Sequence, residues 1–485
     1  MVATAAKLRG ERKAAPAHGL AGALDRQLAL LIASGGDERI WLDPVTRRNR
    51  YGAPAAPAPG ELWFSSSTAS AVSPRGWAAA RAALERLAEP GCFTIAAWFD
   101  QLRARLTALY GAPGAEAVLA ASGTETELVA LSLALALAGG PVVNIIVAPG
   151  ETGSGVPDAA SGRHFLGRAS LGDEVAKGGR LAGWDAAHLR LEAIEIRRAD
   201  GSLRRQVDVD QEAALRVERA VTGGALALLH VLDASKTGRA GVSREAAAQI
   251  LARYPGRVLV AVDACQLRCP AARIRGDVEA GFAVMVTGSK FAAGPAFCGA
   301  LLLPAELVER LARARPAAAA LAPYSAALDW PERLRGAVAP GLVQGANLGL
   351  GLRWAAALAE IEAYEAIPGA WRAAVLTEFE HAVRDRALAD AALTLVDAPS
   401  RSAAAGLVAV AHADGGDPRR AWLALARGGP GRRPCHLGQP VAVGSRWALR
   451  VCASMPMITD AAQRGFAAIE ADLDEAFEAW AAVRR

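Results

Sequence analysis

Short apolar runs alternate with longer segments of helical spacing along most of the chain. The apolar runs predict strands at 117–121, 142–147, 225–232, 257–263, 283–287 and 299–303. The segments of helical spacing predict helices at 20–33, 76–87, 96–110 and 125–137. This alternation is typical of an α/β fold in which helices cover both faces of a large, mostly parallel sheet.

A change of pattern near residue 340 indicates a second unit. Two long Ala/Leu-rich helices come first, and three strands and a closing helix follow, predicted at 350–363, 371–388, 393–396, 407–412, 447–453 and 460–482. We therefore divide the chain into an N-terminal extension at 1–61, a large domain at 62–340 and a small α+β domain at 341–485. The Pro/Ala-rich stretch at 51–60 indicates a linker or a surface clasp.

One uncharged stretch, from Leu128 to Gly150, is long enough to cross a bilayer. Gly139, Gly140 and Pro141 break it into a helix and a short strand, which is typical of a buried α/β core. The N-terminus is basic but lacks the apolar core of a signal peptide. We therefore expect a cytoplasmic protein with no membrane partner.

Composition narrows the chemistry further. With 52% hydrophobic and 21% charged residues the chain is typical of a soluble folded protein, and its net charge of +5 comes mostly from arginine. The cysteines are scattered without ligand spacing, so neither a metal site nor a disulfide framework is indicated. No helix-turn-helix or basic arm points to a nucleic-acid partner.

Polar residues follow four of the predicted strands, where open parallel sheets bind their ligands. These segments are Ser122-Gly123-Thr124-Glu125, Asp233-Ala234-Ser235-Lys236-Thr237-Gly238, Asp263-Ala264-Cys265-Gln266 and Gly288-Ser289-Lys290. A Ser-Gly-Thr turn that begins a helix is either a simple cap or an anion site. Lys290 lies between two apolar strands and precedes a Gly-Pro pair, a context that is unusual for a surface lysine.

Taken in order, these segments resemble the pyridoxal-phosphate (PLP) enzymes of fold type I, specifically the class V aminotransferase and cysteine desulfurase superfamily. The most specific part is VDACQ followed by TGSK, which is similar to the family's Asp-Ala-x-Gln and Ser-x-x-Lys signatures. The resemblance extends from about Leu62 to Ala476. It implies a seven-stranded sheet in the large domain, PLP as cofactor and an amino acid or amine as substrate.

The resemblance also implies roles for individual residues. Lys290 would hold the cofactor and act as the general base at the substrate Cα, and Asp263 would pair with the pyridine nitrogen. Gln266 would bind the phenolic oxygen. The phosphate would be bound by Gly123 and Thr124 at the helix end, and Thr287 and Ser289 would complete this cradle or stand beside the lysine. Asp233 or Ser235 would help to hold the ring oxygen. Lys236 would then point to phosphate or solvent.

Two candidates lie in the predicted small domain. Arg450 is the candidate for the substrate carboxylate, although the family's Arg-x-Ser pattern aligns Cys452 with the arginine. Positions two apart on a strand face the same side, so Arg450 can still reach the pocket. Cys435, in a Gly/Pro-rich and Arg-rich loop, is either the nucleophile of a desulfurase or a surface cysteine.

The loop after strand 142–147 departs from the family pattern. Relatives place an aromatic residue there to stack on the cofactor ring, and here the alternatives are Thr152, Ser154 and His164. The stretch 150–208 is longer than the family usually has, which suggests an extra loop near the pocket. The serine-rich segment 63–77 is either a substrate-side loop or a capped turn.

The sequence therefore predicts a PLP-dependent enzyme that acts through a Cα carbanion, with class V-type transamination as the leading reaction. A PLP-dependent C–S lyase or cysteine desulfurase-like β-elimination is the first alternative, and a non-catalytic PLP-fold sensor is the second. The resemblance also implies a homodimer, with the turn at 344–347 as a candidate for its interface.

Overall fold

The computed structural model describes residues 17–91, 93–396 and 404–484. The helices are α1 (Ala17–Ile32), α2 (Pro74–Ala88), α3 (Ile95–Tyr110), α4 (Gly123–Leu137), α5 (Val156–Ala160), α6 (Gln206–Thr222), α7 (Arg244–Arg253), α8 (Ala271–Glu279), α9 (Ala305–Leu311), α10 (Glu332–Arg335), α11 (Leu348–Glu365), α12 (Gly369–Ala389), α13 (Arg419–Arg427), α14 (Met455–Arg464) and α15 (Ala467–Val483). The strands are β1 (Leu62–Phe64), β2 (Glu116–Ala120), β3 (Val142–Val147), β4 (Leu189–Ile194), β5 (Leu226–Leu232), β6 (Val258–Asp263), β7 (Ala283–Thr287), β8 (Gly299–Leu303), β9 (Leu393–Leu395), β10 (Leu407–His412), β11 (Cys435–Val443) and β12 (Arg446–Cys452).

Seven strands form the main sheet in the order β2-β8-β7-β6-β5-β3-β4. Only β8 runs against its neighbours within this sheet, so the sheet is mostly parallel. Strands β3, β5 and β7 are buried along their whole length, and α4 is buried nearly all round, because they lie inside the layered core. The predicted α/β class with a seven-stranded, mostly parallel sheet is confirmed.

A second sheet of five strands has the order β1-β11-β12-β10-β9. Its first strand comes from residues 62–64 and pairs in parallel with β11, whereas the other four strands come from the last quarter of the chain. The proposed large domain therefore contributes one strand to the sheet of the proposed small domain. The division into 1–61, 62–340 and 341–485 stays a prediction.

The N-terminal segment packs into the molecule. Residues 1–16 lie outside the described residues, and α1 packs against α2 and α11. Within the Pro/Ala-rich stretch, Ala53 is 2% and Ala55 8% exposed. The expectation of a surface linker is wrong at these positions, because small side chains let the backbone approach the core closely.

The predicted closing helix is two helices in the structure. Gly465, which follows α14, has φ 84°, a left-handed conformation that ends a right-handed helix. Sequence patterns also missed β4 and β11, and the helices between β4 and β8 were left unassigned. No helix in the described ranges is both long and apolar enough to span a membrane, and Leu128–Gly150 forms α4 and β3.

Candidate active site

A cavity of about 170 Å³ lies at the carboxyl ends of β5, β6 and β7. The last residues of these strands, Leu232, Asp263 and Thr287, all line it. We call the loops that follow β2, β3, β5, β6 and β7 the inner wall of this pocket. The outer wall consists of the N-terminal segment at 39–51, the turn at 67–68 and residues 439–450 of β11 and β12 that face the cavity.

The start of α4 forms one part of the inner wall. Ser122 caps the helix by accepting a hydrogen bond from the Glu125 amide at 3.2 Å. The amides of Gly123 and Thr124 belong to the first turn, where no intrahelical carbonyl is available to them. A Cβ at Gly123 would come within 2.9 Å of the Cys265 sulfur, so only glycine lets the helix end lie this close to the loop after β6.

Asp263 and Gln266 lie on that loop. Asp263 accepts a hydrogen bond from the Cys265 amide at 3.0 Å and has a side chain that lines the cavity. Gln266 donates from Nε2 to the Ser67 carbonyl at 3.2 Å, and its buried Oε1 has no partner among the described residues. In this orientation Gln266 turns an acceptor to the pocket, whereas a phenolic oxygen in its ionised form requires a donor.

Lys290 lies in the tight loop between β7 and β8. Side chains at Gly288 or Gly294 would collide with Ala357 of α11, so the loop is pressed against that helix. Ser289 and Lys290 line the cavity, and no described residue lies within hydrogen-bond or ion-pair distance of the Lys290 ammonium. Thr287 also lines the cavity, but its hydroxyl donates to the Cys265 carbonyl at 2.7 Å.

The turn after β5 departs from the predicted arrangement. Asp233 pairs with Arg244 at 2.8 Å, and Ser235 donates to Glu151 at 2.7 Å, so neither side chain lines the cavity. Lys236, which was expected to point to phosphate or solvent, lines the cavity, and a contact with phosphate there stays a prediction. Burial, and then the positive charges of Arg450 and Lys290, lower the pKa of Lys236 to about 8.

The long segment 150–208 supports this turn from behind. Glu151 is 6% exposed and accepts hydrogen bonds from Ser235, from Thr237 and from Arg197, which that segment supplies. The Lys236 amide donates to the Glu151 backbone carbonyl at 2.8 Å. The segment therefore fixes the position of Lys236 rather than adding a side chain of its own at that point.

Arg450 reaches the pocket from β12. The side chain is 2% exposed, and its Nε and Nη2 donate to the Gln439 carbonyl and the Thr68 hydroxyl at 2.7–3.2 Å. The third nitrogen, Nη1, is buried with no partner in the described residues. A buried guanidinium nitrogen without an acceptor is costly, so an anion bound at Nη1 would be stabilising.

Sequence reasoning missed the contribution of the N-terminal segment. Arg39 and Tyr51 both line the cavity. Arg39 forms a two-pronged ion pair with the fully buried Asp37, at 2.8 and 2.6 Å, and its guanidinium lies 4.8 Å from the Phe297 ring centre. The only signal in the sequence was the short Asp-x-Arg spacing before an apolar residue, which is too common to identify a pocket residue.

Two sequence candidates lie away from the cavity. Cys435 is the fully buried first residue of β11, and burial raises the pKa of its thiol to about 12. It is neither in a loop nor on the surface. His164 binds the Tyr324 hydroxyl at 2.7 Å outside the cavity, whereas the alternatives Thr152 and Ser154 do line it.

A buried polar cluster lies one layer below the pocket. His230 of β5 is within 2.9 Å of the Asn144 side-chain oxygen and 3.1 Å of the Glu127 carboxylate. Burial lowers the pKa of His230 and the Glu127 charge raises it, and the net shift is upward. This cluster ties β3, β5 and α4 together beneath Asp263.

Comparisons with known proteins identify the fold. No protein-family model and no curated protein matches the chain. The structure is similar to those of cysteine desulfurase CsdA from Escherichia coli (15% identity, 87% of this chain and 94% of that chain, TM-score 0.54), the cystine C-S lyase C-DES with cysteine persulfide (16%, 85% and 97%, 0.53) and SPT with PLP (12%, 97% and 99%, 0.54).

These similarities cover most of both chains in each pair. At such low identity they establish the architecture and leave the chemistry to the residues of the pocket. The chain has the fold of the PLP-dependent enzymes of fold type I.

Proposed function

We propose that this protein is a PLP-dependent enzyme that acts at the Cα of an amino acid, with transamination as its reaction. The observation that carries the proposal is the convergence of Lys290, Asp263, the first turn of α4 and Arg450 on one cavity. These four groups come from separate parts of the chain, and all of them line the same space.

The residues fit the cofactor part by part. The free amides at Gly123 and Thr124, at the positive end of α4, suit a phosphate group. The Asp263 carboxylate suits a protonated ring nitrogen, and the Lys290 amine, which has no partner in the described residues, suits an aldehyde carbon. Ser289 supplies a hydroxyl to the same cavity. When bound there, PLP supplies an electron sink for negative charge at the substrate Cα.

The protein groups then have distinct tasks. Lys290 would serve as the general base that takes the proton from the substrate Cα and delivers it to another substrate atom. Asp263, at the end of β6, would pair with the ring nitrogen of the cofactor and favour its protonated form. Arg450 binds the substrate carboxylate through Nη1, the nitrogen that has no acceptor among the described residues.

The cysteines favour transamination over sulfur transfer. Within the described ranges only Cys265 lines the pocket, and burial raises the pKa of its thiol well above the ordinary value. A thiol must ionise to act as a nucleophile, so this one is poorly suited to accept sulfur. Cys435 is buried in β11 away from the cavity and is no better placed.

Visible absorption spectroscopy tests the proposal. Purified protein incubated with PLP is expected to show a bound-cofactor band that Lys290→Ala lacks and that the exposed-site control Lys177→Ala retains. Amino acids without a keto acid should convert the wild-type band to that of the amine form, and a keto acid should restore it. Release of ammonia or sulfide without this conversion would contradict transamination and indicate β-elimination. Spectral shifts without any product would indicate a non-catalytic sensor.

We further propose that the enzyme works as a cytoplasmic homodimer, on the basis of the resemblance to class V enzymes. In this chain Asn347, at the turn once considered for the interface, binds the Gly35 carbonyl at 2.8 Å and caps α11. Light scattering that gives the mass of a single chain at all concentrations would contradict the dimer.

A further inference from the structure

A second lysine in the pocket has no assigned partner. Lys236 lines the cavity, is mostly enclosed, and has no hydrogen-bond or ion-pair partner for its ammonium among the described residues. A buried ammonium without an anion is unfavourable, since removal from water costs more than any remaining contact returns. Lys236 therefore has a place for an anion that this chain's described residues do not fill.

The nearest acidic residue is already engaged. Glu151 lines the same cavity, but its carboxylate accepts hydrogen bonds from Arg197, Ser235 and Thr237. These bonds occupy both oxygens and hold the carboxylate against the turn that carries Lys236. Glu151 thus positions Lys236, and its charge raises the pKa of that lysine by less than burial lowers it.

The remaining charges of the pocket lead to the same conclusion. Arg39 is paired with Asp37. In the proposed function Asp263 and Lys290 are assigned to the cofactor, and its phosphate is assigned to the first turn of α4 and to Ser289. Two cations are left, Arg450 and Lys236, and they are close enough for the charge of Arg450 to depress the pKa of Lys236. The α-carboxylate of an ordinary amino acid neutralises only one of them.

We propose, resting on the proposed function, that the substrate is an acidic α-amino acid whose side-chain carboxylate is bound by Lys236 while its α-carboxylate is bound by Arg450. The two cations lie on opposite walls of the cavity, Lys236 on the turn after β5 and Arg450 on β12, so a dicarboxylate bridges them. Neutral amino acids leave Lys236 buried without a counter-ion and bind more weakly.

Binding of unreactive acids to the PLP-loaded protein tests this without turnover. Calorimetry is expected to give a dissociation constant for succinate at least about tenfold below that for propionate, the size of one charge-assisted hydrogen bond. Lys236→Met should remove this preference and leave propionate binding unchanged. Lys236→Arg should keep most of it, and Lys177→Met, at an exposed lysine, should behave as wild type.

The outcomes separate the two proposals. A normal cofactor band with equal succinate and propionate affinities would overturn the acidic substrate alone. A Lys236→Met protein that loses PLP affinity while it keeps the succinate preference would assign Lys236 to the cofactor phosphate and also overturn it. Absence of a cofactor band in wild-type protein would overturn the proposed function itself. Spectral titration with aspartate and asparagine provides the matching comparison for amino acids.

Discussion

The inner and outer walls of the pocket differ in how their residues are brought together. On the inner wall, Gly123, Asp263 and Lys290 lie at the end of a strand or within three residues of it, so the order of the strands in the sheet determines their positions. On the outer wall, Arg39 and Arg450 lie more than 400 positions apart and meet only through the packing of the N-terminal segment and β12. The inner wall is set by local turns, and the outer wall by tertiary contacts.

This difference separates two tasks. In the proposed function, the inner wall holds the PLP cofactor, whose requirements are similar across enzymes with different substrates. The same proposal assigns the outer wall to the substrate. Changes on the inner wall should therefore affect the chemical step, and changes on the outer wall should affect substrate affinity or stability.

The largest effect is expected on the inner wall, at Lys290. Loss of a general base at Cα should lower kcat by about 100- to 10,000-fold in Lys290→Ala. Single-turnover rates with a pre-bound amino acid measure the step directly. Equal rates in Lys290→Ala and wild type would mean that the general base lies elsewhere, and Lys236 would be the next residue to test.

The next effect concerns stability at the outer wall. Arg39→Met would leave Asp37, which is fully buried, without its partner, and the free energy of unfolding should fall by about 3 kcal/mol. The double variant Asp37→Asn/Arg39→Met should recover most of this loss, because no uncompensated charge remains. Denaturant titration measures both, and a double variant as unstable as the single one would show that Arg39 acts through packing on Phe297.

A pH effect is expected beside the inner wall, at Glu125, which is buried in the first turn of α4. Burial raises the pKa of this carboxyl from its ordinary value of 4.5 to about 8, so between these pH values the folded protein holds a proton that the unfolded chain releases. The contribution of Glu125 to stability should therefore fall as pH rises, by about 1.4 kcal/mol per pH unit.

The variant Glu125→Gln provides the comparison for this effect. It keeps an oxygen for the Ala121 amide and supplies a donor to Ser170, and it should lack the decline with pH. Denaturant unfolding at several pH values between 5 and 8 checks the difference. Parallel curves for variant and wild type would mean that Glu125 is ionised in the folded protein.

The smallest effect tests the outer wall alone. A Cβ at Gly438 would come within 2.9 Å of the Arg450 Cβ, so Gly438→Ala should displace that side chain. We expect KM for the amino acid to rise about tenfold, the value of one charge-assisted contact, while the cofactor band stays unchanged. Gly139→Ala is the matched control, because a Cβ there meets nothing. A lost cofactor band in Gly438→Ala would remove the distinction between the walls.

The same distinction explains which parts the sequence predicted. The main sheet followed from apolar runs, and the placing of Asp263 and Lys290 in one cavity followed from the rule that parallel strands end at one edge. Arg450 was found because alternate strand positions face one side. The hydrogen-bond partners of individual side chains were less predictable. Asp233 is engaged by Arg244, and Ser235 is engaged by Glu151, which lies 84 positions earlier in the chain. Neither pairing has a pattern in the sequence that distinguishes it.

Other errors have similar physical origins. Cys435 was assigned to a loop because the Gly/Pro-rich residues before it are typical of a turn and give no indication that β11 begins at Cys435. Arg39 and Tyr51 were missed because helical or strand periodicity gives no information about a segment that packs mainly through turns. The conformation of such a segment is determined by its tertiary contacts with the surface on which it packs.

The contact between α11 and the N-terminal segment limits which segments of the chain can be exchanged with another protein. The Arg353 guanidinium on α11 is fully buried and donates to the Ile32 carbonyl at 3.0 Å, to the Gly35 carbonyl at 2.7 Å and to the Phe297 carbonyl at 2.6 Å. A chimaera that joins the rest of this chain to the N-terminal region of another protein would leave Nη1 and Nη2 of Arg353 without their acceptors at Ile32 and Gly35. A design that transfers the pocket to a new scaffold must therefore include residues 32–35, although they do not line the cavity.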